Sequence, residues 1–216
     1  MIWAVGLACA VSAWAHLMFV VPRLGVPVVE AGEQPPDYRS LATPTYGALV
    51  AMAALAAALV ALRTVPASHL PMWFGYLGAG AALVWVDLRT TYLPRTLNHI
   101  CLAQVLLGLA LAGLTGWQAA VGGLLGGLAA FAMFHVVWAI GSGFGYGDVR
   151  LAGIIGVVAG TGGVQSWVTA VLLATLIGAL WAIVHWAATR RNGTTSPFPY
   201  GPALWLGPIA AMALPG

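Results

Sequence analysis

Two aspartates stand where a hydrophobic chain has least reason to keep them. Asp87 and Asp148 are each followed by one apolar residue and an arginine, as Asp87-Leu-Arg89 and Asp148-Val-Arg150. Both lie at the edge of an apolar run, whereas Glu30, Glu33 and Asp37 share one polar stretch. A carboxylate costs about 2.5–3.5 kcal/mol at the centre of a membrane helix and less toward its ends. An expense of that kind calls for a function. Asp148 also follows Gly141-Ser-Gly-Phe-Gly-Tyr-Gly147. Such glycines let a backbone bend and approach another chain closely.

Two carboxylates in a partly desolvated site split their titrations, so that one is ionised while the other keeps its proton. The ionised member can draw a proton from water as the water attacks a peptide carbonyl. The protonated member can hydrogen-bond the carbonyl oxygen as it becomes tetrahedral. This is aspartic-protease chemistry, and it needs no arranged nucleophile such as Gly-x-Ser-x-Gly, which the chain lacks. The residues alone leave other readings open. Arg89 and Arg150 could neutralise their neighbours as plain ion pairs, or Asp87 and Asp148 could be ion sites of a small transporter or channel subunit.

The elements that carry these residues follow from composition. Of 216 residues, 61% are hydrophobic and 6% charged, against about 25% charged in soluble domains. No stretch long enough for a soluble domain escapes the pattern. The expectation is an all-α, polytopic membrane helical bundle of about eight spans (seven to eight), forming one membrane-embedded domain over residues 1–216. The first span covers about 2–22; without a basic n-region before it, it is expected to remain as a membrane helix. A polar, proline-containing loop follows at 23–44, then spans at about 45–62, 72–88, 97–115, 117–140, 149–162 and 164–187. Pro94 argues for a bend between the third and fourth spans. Gly122-Gly123 and Gly126-Gly127 suit close helix packing in a bilayer. The last apolar segment, after the loop 189–202, is short for a span of about 20 residues.

All eight basic residues are arginines. With the N-terminus outside, Arg23, Arg39, Arg89, Arg95, Arg150, Arg190 and Arg191 fall inside and only Arg63 outside, a positive-inside pattern. The same count puts Asp87 and Asp148 at one face, the cytoplasmic one. Arginines scattered at membrane edges report orientation, so nucleic acid is not an expected partner. The lipid bilayer is.

These motifs resemble those of the type IV prepilin peptidases, membrane aspartic proteases with a Gly-x-Gly-Asp signature. Gly145-Tyr-Gly-Asp148-Val-Arg150 is similar to that signature. Asp87 with Leu93-Pro94 downstream resembles the family's first aspartate element, and Pro197-Phe-Pro-Tyr-Gly-Pro202 its proline-rich stretch before the last helix. Together these elements cover roughly residues 84–210. The resemblance implies Asp87 and Asp148 as the catalytic pair, with Gly145 and Gly147 forming the loop that lets Asp148 approach. Arg89, Arg150 and Pro94 are then candidates for lining the site or binding substrate. It further implies removal of the short basic leader of prepilins or pseudopilins at the cytoplasmic face of the inner membrane.

The chain also departs from the family. Loop 23–44 has no cysteine where longer relatives carry a zinc-binding, tetra-cysteine domain, so a minimal form without N-methyltransferase activity is expected. Arg95 stands where Asp or Asn is usual, and Pro199-Tyr200 deviates from the proline-rich stretch. Another Gly-x-Gly-Asp intramembrane protease would share the dyad but not the Leu-Pro and Pro-Phe elements.

No metal or other cofactor is expected. Cys9 and Cys101 lack ligand spacing, and His16, His69, His99, His135 and His185 form no His-Glu-x-x-His pattern. His99 could line the site, although a packing role is the simpler reading. Glu30, Glu33 and Asp37 read first as a solvated loop face and second as an attraction for a basic leader.

Overall fold

The structure, a computed structural model, describes residues 2–27, 35–141, 145–191 and 198–214. Eight α-helices appear among them: α1 (Ile2–Ala15), α2 (Pro44–Ala61), α3 (Leu70–Thr90), α4 (Arg95–Gly113), α5 (Trp117–Ala139), α6 (Tyr146–Gly160), α7 (Gly163–Arg191) and α8 (Gly201–Ala213). The described residues contain no strand. An apolar sequence with no water to bond its backbone must satisfy every N–H and C=O internally, and helices do so within one segment.

The helices divide into two kinds. Five apolar stretches are long enough to cross a membrane: Ile2–Arg23, Pro44–Ala61, Arg95–Gly113, Trp117–Ala139 and Gly163–Arg190. The first of these is α1 prolonged by a π-turn at His16–Val20 and a 3-10 turn at Val21–Arg23. The other three helices are the sheltered ones. In α3 nearly every residue from Met72 to Asp87 is buried, and α6 is buried almost throughout after Asp148. At 15 and 13 residues, α6 and α8 reach only about 22 and 20 Å at the α-helical rise. That is less than the roughly 30 Å of hydrocarbon a span must cross. A helix wrapped by others has no lipid to satisfy along its whole length, so it can be short and can hold polar groups.

Glycine sets how closely the wrapped helices approach. A Cβ on Gly122 would stand 2.6 Å from the Gly160 carbonyl oxygen, and one on Gly126 2.5 Å from that of Gly156. The backbones of α5 and α6 are therefore in direct contact, as the paired glycines of the sequence imply. Gly163 and Gly141 take positive φ (84° and 83°), the first opening α7 and the second just beyond the end of α5. These are conformations that glycine adopts without strain.

α7 runs to Arg191, four residues past the expected 187, and two boundaries beside the aspartates also differ from the sequence reading. The sixth helix begins at Tyr146, three residues before the expected 149, so Asp148 lies in its first turn and not in the preceding loop. The α3–α4 connection bends at Pro94 as expected, but it is initiated by Thr91, which takes the left-handed conformation at φ 58°. The Thr91 N–H donates to the Asp87 carbonyl at 2.6 Å, ending α3 one turn past that aspartate. A β-branched residue there stores about 1–3 kcal/mol of strain.

Gly156→Ala forces its methyl into the Gly126 backbone, whereas a Cβ on Gly153 meets nothing closer than the Phe131 side chain at 3.5 Å. Gly156→Ala should lose about 1–3 kcal/mol through overpacking, and Gly153→Ala little. Thermal unfolding of the two purified variants in one detergent checks the order.

Candidate active site

Leaving aromatic residues aside, three polar side chains are buried among the described residues: Asp87 (3% exposed), Asn98 (1%) and Asp148 (9%). All three lie at one end of the bundle, where α3 stops and α4, α6 and α8 start. Asp87 is in the last turn of α3. Its Oδ2 accepts the N–H of Gly201, the first residue of α8, at 2.8 Å. That amide is one of the donors a helix start leaves unmatched, at its partially positive end. The approach requires glycine, because a Cβ on residue 201 would lie 2.8 Å from Asp87 Oδ2.

Two further bonds fix α8 against α3. The Tyr76 hydroxyl donates to the Trp205 carbonyl at 2.6 Å, and Trp205 Nε1 donates to the Tyr76 carbonyl at 3.3 Å.

Asp148 is the third residue of α6. Its Oδ2 accepts from the Gly145 N–H at 3.2 Å, while the Asp148 N–H donates to the Gly145 carbonyl at 3.0 Å. The carboxylate thus caps its own helix, where negative charge is favoured. Its Oδ1 is buried and has no partner. Asp148 interacts electrostatically with Asp87 and with Tyr200. The two sequence motifs also touch directly. A Cβ on Gly147 would stand 2.5 Å from the Leu93 Cβ, and Asn98 Nδ2 donates to the Gly147 carbonyl at 3.4 Å. Gly147 is therefore a close-packing position, and Gly145 supplies the amide that holds the carboxylate.

The arginines take other roles. Arg89 lies over the Tyr46 ring at 5.2 Å and donates to its hydroxyl at 3.1 Å. Arg150 lies over Tyr146 at 4.6 Å. Each therefore engages an aromatic ring and not the aspartate two residues before it. Pro94 is buried at the N-cap of α4 and sets the bend beside Asp148's loop. Asp37 is exposed and accepts the Arg39 N–H at 3.0 Å, shaping its own turn. Glu30, Glu33 and Pro197 lie outside the described residues. Tyr38 of the same loop is buried beside Tyr92, and burial with that neighbour pushes its phenol up to about 12. The end of this loop thus packs onto the turn that follows Asp87. No group of three His, Cys, Asp or Glu side chains among the described residues is arranged to hold a metal ion.

Comparison with protein-family profiles matches residues 74–183 to the type IV leader peptidase family. The chain belongs to that family. No curated protein and no solved structure matches it. The matched segment runs from α3 into α7 and includes both aspartates, while the proline-rich element at 197–202 lies beyond it.

In this type IV leader peptidase three site residues escape a reading of the sequence. Gly201 contributes only a backbone N–H, which no side-chain pattern announces. Asn98 is a polar residue one turn into α4, buried in the structure, and a lone amide at the edge of an apolar run is its signal in the sequence. Tyr200 reads as a departure from the proline-rich stretch, yet it interacts with Asp148, bonds the Thr175 side chain and packs on Gly178 of α7. His99 is exposed beside Asn98.

Asp87→Ala strands the buried Gly201 N–H, a loss of about 1–3 kcal/mol. Asp87→Asn keeps an acceptor oxygen in place and should lose less. Equal melting temperatures for the two variants would show that the bond does not hold α8.

Proposed function

We propose that this family member is an aspartic endopeptidase that removes the short basic leader of prepilins or pseudopilins. The observation that carries the proposal is that Asp87 and Asp148 are both buried at one end of the bundle and interact electrostatically, each with one oxygen held by a glycine N–H. Both lie in end turns of their helices, a depth that suits cutting just before a substrate's apolar segment better than conducting an ion through the bilayer. The chemistry divides between them. Asp148, whose Oδ1 has no partner, takes a proton from water as the hydroxide forms its bond to the scissile carbonyl carbon. Asp87, protonated, gives its proton to the carbonyl oxygen. The C–N bond of the tetrahedral intermediate then breaks, the amine leaves with the proton that Asp148 received, and one hydroxyl of the intermediate returns its proton to Asp87 as the C=O of the new acid forms. The peptide is cleaved without a covalent enzyme intermediate, cofactor or metal.

The orientation belongs to the same proposal. The helix ends around the aspartates also carry Arg23, Arg89, Arg95, Arg150 and Arg190, while Arg63 lies at the other end. A positive-inside bias of this kind supports a cytoplasmic site in a multi-pass protein of the plasma membrane, with the N-terminus outside. Loop 23–44, without cysteine, supports a peptidase without a zinc domain or methyltransferase activity.

Co-expression with a prepilin from the same genome tests the assignment by a gel shift. Wild type should release the leader, and Asp87→Asn and Asp148→Asn should each slow release by on the order of 10²–10⁴. All three proteins must be equally abundant in membranes. Cleavage that persists in both variants would overturn the dyad, and intact precursor with wild type would overturn that substrate.

A further inference from the structure

A groove on the outside of the bundle has a cationic mouth and an apolar body. It lies between α4, α5 and α6 with a volume of about 510 Å³, within the usual range for small-molecule sites. Arg95, Asn98, His99 and Arg150 line its upper end, beside the aspartate site. Below them the walls are Leu106, Leu124, Leu128 and Phe131, and three of these face outward: Leu106 is 37%, Leu124 50% and Leu128 67% exposed. The groove is separate from the aspartate pair. Tyr146, Arg150, Gly153, Ile154 and Val157 share the lining face of α6. Asp148, two residues from both Tyr146 and Arg150, lies roughly 200° around the helix at 100° per residue.

Two observations point to a ligand. Neither guanidinium at the mouth forms an ion pair or hydrogen bond among the described residues, and only Arg150 has a partner, the Tyr146 ring. Asn98 Oδ1 is buried with no donor, although Asn98 lines the groove and its amide nitrogen is committed to Gly147. A ligand that matches this groove would supply negative charge to two arginines, a hydrogen-bond donor to one amide oxygen, and hydrocarbon to the wall below.

We propose that this groove binds an anionic phospholipid with a hydroxylated headgroup, of the phosphatidylglycerol type. Its phosphate sits between Arg95 and Arg150, where guanidinium forks match phosphate oxygens. A headgroup hydroxyl donates to Asn98 Oδ1, and one acyl chain lies along Leu106, Leu124 and Leu128. The apolar helix of a substrate would find the same wall, but a basic leader would bring positive charge against two arginines. The site also has a structural consequence. Asn98 holds the Gly147 carbonyl, so a lipid that fixes Asn98 steadies the turn carrying Asp148.

Native mass spectrometry of the detergent-purified full chain tests the proposal. Phosphatidylglycerol should be retained as a 1:1 adduct at concentrations where phosphatidylcholine is not, and inorganic phosphate should give none. Each arginine replaced by glutamine should weaken retention about five-fold, so Arg95→Gln with Arg150→Gln should lose most of it. Arg63→Gln, at the other end, should keep it. If the double variant elutes as an aggregate, Arg95→Lys with Arg150→Lys should fold and show partial loss. Equal retention of phosphatidylcholine, retention unchanged in the arginine variants, or an equal adduct with inorganic phosphate would overturn the site. So would displacement of the lipid by a synthetic peptide with a basic leader and apolar helix, which would assign the groove to substrate.

Discussion

A buried carboxylate in an apolar bundle has no water to solvate it, so its donors must come from the protein. In this chain they come from backbone amides at the two helix starts that meet at the site. Asp148 is held by Gly145 at the start of its own helix, and Asp87 by Gly201 at the start of α8. Both arrangements place a carboxyl oxygen at a positive helix end. The second has wider consequences, because a bond across 114 residues of sequence works only if α8 is in register with α3. The reciprocal bonds between Tyr76 and Trp205 supply that register. Gly80 makes room for it, since a Cβ there would lie 2.9 Å from Trp205 Nε1.

The same constraint explains why the aspartates lie on the least lipid-like helices. A helix exposed to hydrocarbon gains nothing from glycine and loses by polar groups. A helix wrapped by others gains close approach from glycine and can keep a polar end. Thus α5 presents large side chains to lipid on one side and Gly122, Gly123, Gly126 and Gly127 to α6 on the other. Asp87 and Asp148 are brought together by packing that begins several turns away.

Much of this was legible in the sequence, for definite reasons. Helix number and position follow from hydropathy, because the bilayer punishes every departure from it. Asp87 and Asp148 stood out because a carboxylate in an apolar run has few bland explanations. The glycine pairs of α5 announced close packing, and the structure has it. The start of α6 was less legible. Four glycines before Asp148 read as a loop, yet the last of them, Gly147, is helical because Asp148 caps the turn from inside. The same glycine bias hid the capping role, which belongs to a Gly145 N–H and not to a side chain. Reading Arg89 and Arg150 as candidate neutralisers assumed that charge seeks charge. In the structure their partners are Tyr46 and Tyr146, engaged through the ring faces. The logic that singles out the aspartates applies equally to Asn98, a polar amide at the edge of an apolar run.

The family profile ends at residue 183, before the residues that complete the site. Gly201 and Tyr200 lie beyond it, and both reach the aspartates. Conversely, the profile's later residues reach the site through intermediaries: Thr175 and Gly178 of α7 meet Tyr200, not an aspartate. The links therefore run from α7 to Tyr200 by contact, from Tyr200 to Asp148 electrostatically, and from the neighbouring Gly201 to Asp87 by a hydrogen bond. A reading confined to the matched segment would contain both carboxylates and miss the donor that holds one of them. The working unit is set by which backbone amides can reach a buried charge, and here that unit extends into the last helix of the bundle.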